Sequence, residues 1–130
     1  MAYRTVNGIF CVAHGSSNPS DEEWKAYLDY YLANERECLR TLVVTDGGGP
    51  NAKQRAETAK LIQSAPTRVA IVSSSTFVRG VATALSWFNK RVQAFSDTEM
   101  DRALSYLEVT DNLARLITAE LKTLQATITH

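Results

Sequence analysis

The first stretch whose residue types could do chemistry is His14-Gly15-Ser16-Ser17, at the end of the apolar run 9–13. An imidazole next to hydroxyls could act as a base for a serine or as one ligand of a metal ion. A single imidazole does not hold a metal firmly, so further ligands must converge on it. The other histidine is His130, the last residue, and a terminal side chain makes a poor fixed ligand. The residue types therefore favour a simple strand end at His14.

The run "VAHGSSNPS" is similar at its His-Gly-Ser to the strand end of small tetrapyrrole chelatases, in which a histidine helps to place a metal ion. The resemblance is confined to residues 12–20, and the downstream pattern does not follow it. It implies a chelatase-like enzyme that uses His14, with Ser16 or Ser17 beside it. We keep this enzyme as the third functional hypothesis, and we expect no catalytic residue, metal or cofactor.

A glycine loop, Asp46-Gly47-Gly48-Gly49-Pro50, follows the apolar run 39–45. Glycine N–H groups before a helix can bind an anion. The spacing matches neither glycine motif of nucleotide sites, no Lys-Ser or Lys-Thr pair follows, and Pro50 lacks an N–H group. Nucleotide binding is therefore not expected. Asp46 lies where sites gather in α/β proteins, at a strand's carboxyl end. Capping of the turn is the favoured role for Asp46, and pairing with Arg55 is the alternative.

A second polar junction, Ser73-Ser74-Ser75-Thr76, follows the apolar run 68–72. A phosphate there would sit at the positive end of a helix. The pattern favours the simpler interpretation, in which Ser74 or Ser75 caps the helix and the other hydroxyls face solvent.

Composition narrows the class of protein. A chain of 130 residues that is 45% hydrophobic can bury the core of one ordinary domain. Its 14 basic and 14 acidic residues argue against nucleic acid and anionic membranes as partners. Cys11 and Cys38 without a CxxC motif fit a reducing compartment, and no apolar run is long enough to span a bilayer. We expect a cytoplasmic protein with no transmembrane segment.

Periodicity predicts alternating strands and helices. Asn7-Gly8 is typical of a tight hairpin turn between strands 3–6 and 9–13. Two capping boxes, Ser20 with Glu23 and Ser96 with Glu99, mark helix starts. The predicted later strands are 39–45, 68–73 and 91–95.

Four predicted helices each carry a stripe of apolar residues that we expect to face inward. In chain order, these stripes are Trp24, Tyr27, Leu28, Tyr31 and Leu32 in the first helix; Val78, Val81, Ala82, Leu85 and Phe88 in the next; Met100, Ala103, Leu104 and Leu107 in the third; and Leu113, Leu116, Ile117, Leu121, Leu124 and Ile128 in the last.

The helix predicted at 51–64 carries alanines at 52, 56 and 59, which we expect to pack closely on the sheet. Tyr30 is expected to face outward, where it could extend an aromatic patch for a partner. The fold class is α/β, a single-domain mixed and largely parallel sheet with helical cover. We assign residues 1–108 to the domain and 109–130 to a C-terminal amphipathic helix, either packed on it or used in association, including a homodimer.

Residues 1–108 resemble the SpoIIAA-like group of small bacterial domains, of STAS/SEC14 type. The resemblance is carried by the hairpin at "NGI", by "DEEWKAYL", by "LVVTDGGGPNAKQR" and by "VAIVSSSTFVRGVATALSWFN" with "QAFSDTEMDRALSYL". It implies the STAS order β-β-α-β-α-β-α-β-α and a non-enzymatic regulatory module that binds another protein. Phosphorylatable members carry a serine directly after the aspartate of this junction. Here Asp46 is followed by glycine, so the resemblance does not extend to that switch.

Three functional hypotheses follow. The first is a protein-interaction module, with a binding surface made of Asp46, Gly47, Gly48, Gly49, Arg55, Ser74, Ser75 and Thr76. Its backbone N–H groups and Asp46 are expected to fix the register of the partner protein. The second is a carrier of a small ligand or lipid, as the SEC14-like side of the resemblance implies, and it requires a deep apolar pocket. The third is the enzyme that uses His14.

Overall fold

The computed structural model describes residues 1–61, 68–88 and 91–128, and it describes side chains at all of these positions except 85–88. His130, residues 62–64 of the predicted second helix and the side chains of Leu85 and Phe88 lie outside these limits. The elements are β1 (Ala2–Val6), β2 (Ile9–His14), α1 (Asp21–Ala33), a 3-10 turn (Glu35–Glu37), β3 (Arg40–Thr45), α2 (Ala52–Leu61), β4 (Arg68–Ser73), α3 (Thr76–Phe88), β5 (Val92–Phe95), α4 (Met100–Tyr106) and α5 (Asp111–Ala126).

The described strands form one five-stranded sheet in the order β1-β2-β3-β4-β5. Only β1 runs antiparallel to its neighbour, and the other three pairings are parallel. Each parallel strand lies beside the one before it, so right-handed crossovers place α1, α2 and α3 on the same face. The carboxyl ends of β2, β3 and β4 meet at one edge. The prediction of an α/β domain with a largely parallel sheet is confirmed.

The hairpin forms because its turn residues tolerate a left-handed backbone. Asn7 has a φ of 47° and Gly8 a φ of 85°, and Val6 pairs directly with Ile9. Two positive φ values in a two-residue loop define a type I′ turn, whose twist suits the flanking strands. The prediction drawn from Asn7-Gly8 is confirmed.

α1 covers β2 with an aromatic layer. Trp24, Tyr27 and Tyr31 are buried, and the Tyr27 ring stacks on Phe10 at a centroid distance of 5.4 Å. The outward orientation expected for Tyr30 is wrong, because its ring also stacks on Phe10, at 5.6 Å. The Tyr30 hydroxyl further accepts a hydrogen bond from the Thr5 N–H at 3.3 Å. Tyr30 is therefore partly buried and packs against the aromatic core.

Three expectations of burial are wrong: those for the alanines of α2, for Leu32, and for Leu116 of α5, which was expected to face inward and is 45% exposed. Ala52, Ala56 and Ala59 are exposed, and α2 packs chiefly against α1 instead of against the sheet. The one buried residue of α2 is Gln54, at 1% exposure. Leu32, expected to complete the apolar stripe of α1, is 39% exposed near the end of that helix. α2 is therefore attached by polar contacts, which are described below.

The two predicted capping boxes differ in outcome. Ser20 and Glu23 form the complete reciprocal pair, with both hydrogen bonds at 3.1 Å. At the second site, Glu99 accepts from the Ser96 N–H at 2.8 Å, which is half of the box. The Glu99 N–H donates to the Ser96 carbonyl, and the Ser96 hydroxyl pairs with that of Thr98. α4 accordingly begins at Met100, after this turn.

The opposite face of the sheet is covered by α4 and α5. Ile117, Leu121 and Leu124 of α5 are buried in a cluster that includes Cys11 and Leu42 of the sheet. The apolar stripe of α5 is thus used within the domain, so any association through this helix must use its other side. None of the helices in the described ranges combines the length and apolar character that a bilayer crossing requires.

We expect Ile117→Ala to lower the free energy of unfolding by about 2–5 kcal/mol, because it empties a fully buried site. Leu116→Ala is the matched control on the same helix, since Leu116 is 45% exposed, and its cost should stay within about 0.5 kcal/mol. Urea denaturation followed by circular dichroism measures both. Equal costs for the two variants would contradict this packing of α5.

Candidate functional site

Three polar side chains form a buried row at the carboxyl edge of the sheet. His14 of β2 pairs in register with Thr45 of β3, and Thr45 with Ser73 of β4. Register partners point to the same face of the sheet, and the stacking of His14 on Trp24 shows that this is the face that carries α1. All three residues are at most 6% exposed. The row lies beneath the loops that carry the predicted surface.

The two hydroxyls of this row hold turns. The Thr45 hydroxyl donates to the Gly48 carbonyl at 2.5 Å and accepts from the Gly47 N–H at 3.1 Å. The Ser73 hydroxyl donates to the Thr45 carbonyl at 2.8 Å and accepts from the Ser75 N–H at 3.1 Å. Both groups are therefore committed to shaping the loops after β3 and β4, and neither is placed as a nucleophile.

His14 is buried as a neutral imidazole. The pKa of its ring is lowered from the ordinary 6.5 to about 4, chiefly by burial and also by the Met1 ammonium, while Glu23 opposes the shift. The ring stacks on the Trp24 indole at 6.4 Å. Within the described residues no group of three His, Cys, Asp or Glu side chains is placed to hold a metal ion. The His14 side chain, at 5% exposure, is therefore a buried residue that packs between β2 and α1.

The two cysteines are also packing residues. Burial raises the pKa of Cys11 to about 12, and nearby Glu120 adds to the effect. Burial also raises the pKa of Cys38, whose thiol pairs with the Thr5 hydroxyl at 3.8 Å. Both thiols are protonated at neutral pH and poorly accessible, so neither is an activated nucleophile.

The glycine loop is bound to the loop that follows His14. The Asp46 N–H donates to the His14 carbonyl at 3.2 Å, and the Gly48 N–H to the Gly15 carbonyl at 2.8 Å. The Gly49 N–H donates to the side-chain oxygen of Asn18 at 3.2 Å. We call this contact between residues 14–18 and 46–49 the loop pair. The three glycine N–H groups, including that of Gly47, are therefore all used in hydrogen bonds within the chain.

The middle glycine is required by close approach. A Cβ placed on Gly48 would lie 2.1 Å from the Ser17 carbonyl oxygen and 2.8 Å from that of Gly15. Both are backbone atoms, so only movement of the loop could relieve the clash. A Cβ on Gly49 meets nothing within 4 Å. Gly48 is also buried, so it supports the predicted surface from below and is not part of it.

α2 begins with a capping box that our sequence analysis missed. The Gln54 N–H donates to the Asn51 side chain at 2.8 Å, and the Asn51 N–H donates back to Gln54 at 3.0 Å. The Gln54 amide then donates to the Pro19 carbonyl at 3.1 Å and to Asp21 at 3.0 Å. The spacing Asn-x-x-Gln is the signal that identifies such a cap. It moves the helix start from 51 to Ala52 and ties α2 to α1.

The first turns of α2 and α3 bring further site residues to this edge. The Arg55 guanidinium donates to the Pro50 carbonyl at 2.8 Å, so Arg55 is attached to the glycine loop. The Val78 N–H donates to the Ser75 hydroxyl at 3.2 Å, which makes Ser75 the cap of α3. Ser74 and Thr76 are exposed.

Phe77 is the surface residue that sequence reasoning missed. It follows Thr76 on the first turn of α3, and it is 79% exposed, more than any other large apolar residue described. The signal was present in the sequence, because Phe77 falls outside the predicted inward stripe of this helix. We define the edge surface as Asp46, Gly49, Arg55, Ser74, Thr76 and Phe77.

No protein-family model, no curated protein and no solved structure matches the chain.

We expect Gly48→Ala to lower the free energy of unfolding by about 1–3 kcal/mol or more, because the added methyl group overlaps backbone atoms. Gly49→Ala is the control in the same loop and should change stability by no more than about 0.5 kcal/mol. Chemical denaturation compares the two variants. If both are equally tolerated, the loop pair does not have the close approach described.

Proposed function

We propose that this chain is a non-enzymatic protein-interaction module of the STAS/SpoIIAA-like type, and that it binds another protein through the edge surface. The single observation that carries the proposal is the 79% exposure of Phe77. Burying a phenylalanine side chain stabilises a complex by about 1.5–3 kcal/mol. Aromatic residues are also enriched in the cores of protein interfaces.

The surroundings of Phe77 suit an interface. Ser74 and Thr76 flank it along the chain, and Asp46 is exposed at the end of the neighbouring strand. An apolar anchor with polar groups around it is the usual anatomy of a binding patch. Arg55 and Asp46 offer charges of both signs, in keeping with the zero net charge of the chain.

The platform beneath the surface is fixed before binding. The loop pair, the Asn51–Gln54 box and the Ser75 cap hold the three segments that meet here. A surface that is already ordered loses less conformational entropy when a partner binds. The proposed binding does not depend on phosphorylation after Asp46, where Gly47 has no hydroxyl group.

To test this proposal, Phe77→Ala is compared with Leu116→Ala, an exposed apolar residue on the opposite face of the sheet. Tagged wild type and both variants capture proteins from the organism that encodes the chain, and quantitative mass spectrometry compares the recovered proteins. We expect at least one protein to be retained by wild type and Leu116→Ala and reduced about tenfold or more by Phe77→Ala.

Two further measurements make the result specific. Circular dichroism must show that Phe77→Ala keeps its fold, as an exposed substitution should. A photoreactive amino acid in place of Thr76 must cross-link the same captured protein. If every captured protein binds Phe77→Ala as well as wild type, the edge surface is not the interface.

The carrier hypothesis requires a deep apolar pocket in the fold. One cavity, of about 100 Å³, is lined mainly by backbone and polar groups near Ser17, Asn18 and Glu23. Another, of about 270 Å³, is open to solvent at the end of α1 between Leu32 and Glu37. Neither of these two cavities, which lie in the described part of the chain, is the deep apolar pocket that a carrier requires.

We therefore expect native mass spectrometry of freshly purified protein to show the mass of the chain alone. A co-purifying apolar or anionic ligand, removed by denaturation, would support the carrier and count against the interaction module. The measurement needs no knowledge of the ligand, since it compares native and denatured masses of the same preparation.

A further inference from the structure

His14 lies at the root of the loop pair. Its own carbonyl accepts the Asp46 N–H, and the carbonyl of the next residue, Gly15, accepts the Gly48 N–H. The backbone that ends β2 and the backbone that anchors the glycine loop are therefore the same short segment. Any displacement of His14 is transmitted directly to the loop pair.

The side chain of His14 is packed against two further elements. Its ring lies against Trp24 of α1, and the Trp24 indole N–H donates to the Thr58 hydroxyl of α2 at 3.0 Å. Within the described part of the chain, the buried Nδ1 atom has no hydrogen-bond partner. A charge on this ring would have to be solvated, and the packing around Nδ1 supplies no acceptor for a second N–H group.

The charged groups that face His14 do not compensate for this. The Met1 ammonium, on the β1 side, repels a protonated ring, while the Glu23 carboxylate of α1 attracts it. Those two groups lie 4.0 Å apart, and Glu23 also accepts the Ser20 N–H. The register neighbour on β3, Thr45, is neutral. From α2 the group that reaches this packing is the neutral Thr58 hydroxyl, through Trp24, and Asp46 in the following loop is exposed.

We propose that His14 is a proton-sensitive positioning residue, whose protonation opens the loop pair and so weakens binding at the edge surface. The opening step stands on the geometry above, and only its effect on a partner rests on the proposed function. In the closed form the ring stays neutral at pH 7, and in an opened form it regains water and takes up a proton readily.

The pKa difference of His14 between the closed and opened forms determines how pH changes the opening of the loop pair. The pKa of His14 is about 4 in the closed form and 6.5 when the ring is exposed. The opened form binds more protons wherever the pH lies between these values, so acid favours opening. The population of the opened form should rise about 20-fold between pH 7 and pH 5.

Amide hydrogen exchange of the uncomplexed protein tests the opening step. The protection factor of Gly48 should fall about 20-fold from pH 7 to pH 5 and should stay below that of Leu42, in the centre of β3, at both pH values, because Gly48 exchanges through local opening and Leu42 through global unfolding. In His14→Phe the protection of Gly48 should be independent of pH over this range. Glu23→Gln controls for the neighbouring carboxylate and should retain the pH dependence.

Four results would overturn the proposal. They are pH-independent protection of Gly48 in wild type, protection of Gly48 equal to that of Leu42 at both pH values, an equal loss in His14→Phe, and a ring pKa near 6.5 when His14 is titrated by NMR. If His14→Phe does not fold, His14→Gln and the direct titration decide. Affinity for the captured protein at pH 7 and pH 5 is measured separately, so failure of the edge surface as an interface leaves the opening result interpretable.

Discussion

The approach of the Gly48 N–H to the Gly15 carbonyl is the contact on which the carboxyl edge of this sheet depends. It is possible only because Gly48 has no Cβ, since one would overlap the Ser17 carbonyl oxygen. The contact joins the loops after β2 and β3, and the Ser73 hydroxyl then connects the end of β4 to β3 through the Thr45 carbonyl. Three strand ends are thereby joined by hydrogen bonds among backbone groups and buried hydroxyls.

The two faces of the sheet are stabilised in different ways. On one face α4 and α5 bury a continuous aliphatic cluster, which includes Leu42, Leu107 and Ile117. On the other face α1 buries aromatic rings, while α2 is held by the hydrogen bond that the Gln54 amide donates to Asp21 and by the one that the Thr58 hydroxyl accepts from Trp24. A helix held by polar contacts contributes little apolar burial. Its placement therefore depends on the loop pair and on α1, which also support the edge surface.

Local rules predicted much of this fold. Asn7-Gly8 determined a type I′ hairpin because both residues accept positive φ values, and Ser20 with Glu23 determined the start of α1. Strand 68–73 matches its prediction at both ends, because turn-forming or polar residues border the apolar run. The alanines of α2 misled us, since small residues permit close packing but do not require it. Nothing local revealed that Gln54 would be the buried residue.

The sequence by itself determined the order of the elements, the hairpin, one complete helix cap and the class of the sheet, because these follow from interactions between residues close along the chain. It also placed Asp46 and Ser74 at strand ends on the correct edge. Only the tertiary structure decided that the Gly48 and Gly49 N–H groups bind the loop after His14, that Tyr30 packs against the aromatic core and that Phe77 is exposed. Each of these depends on which distant segments come into contact, and that is settled by the register of the parallel strands.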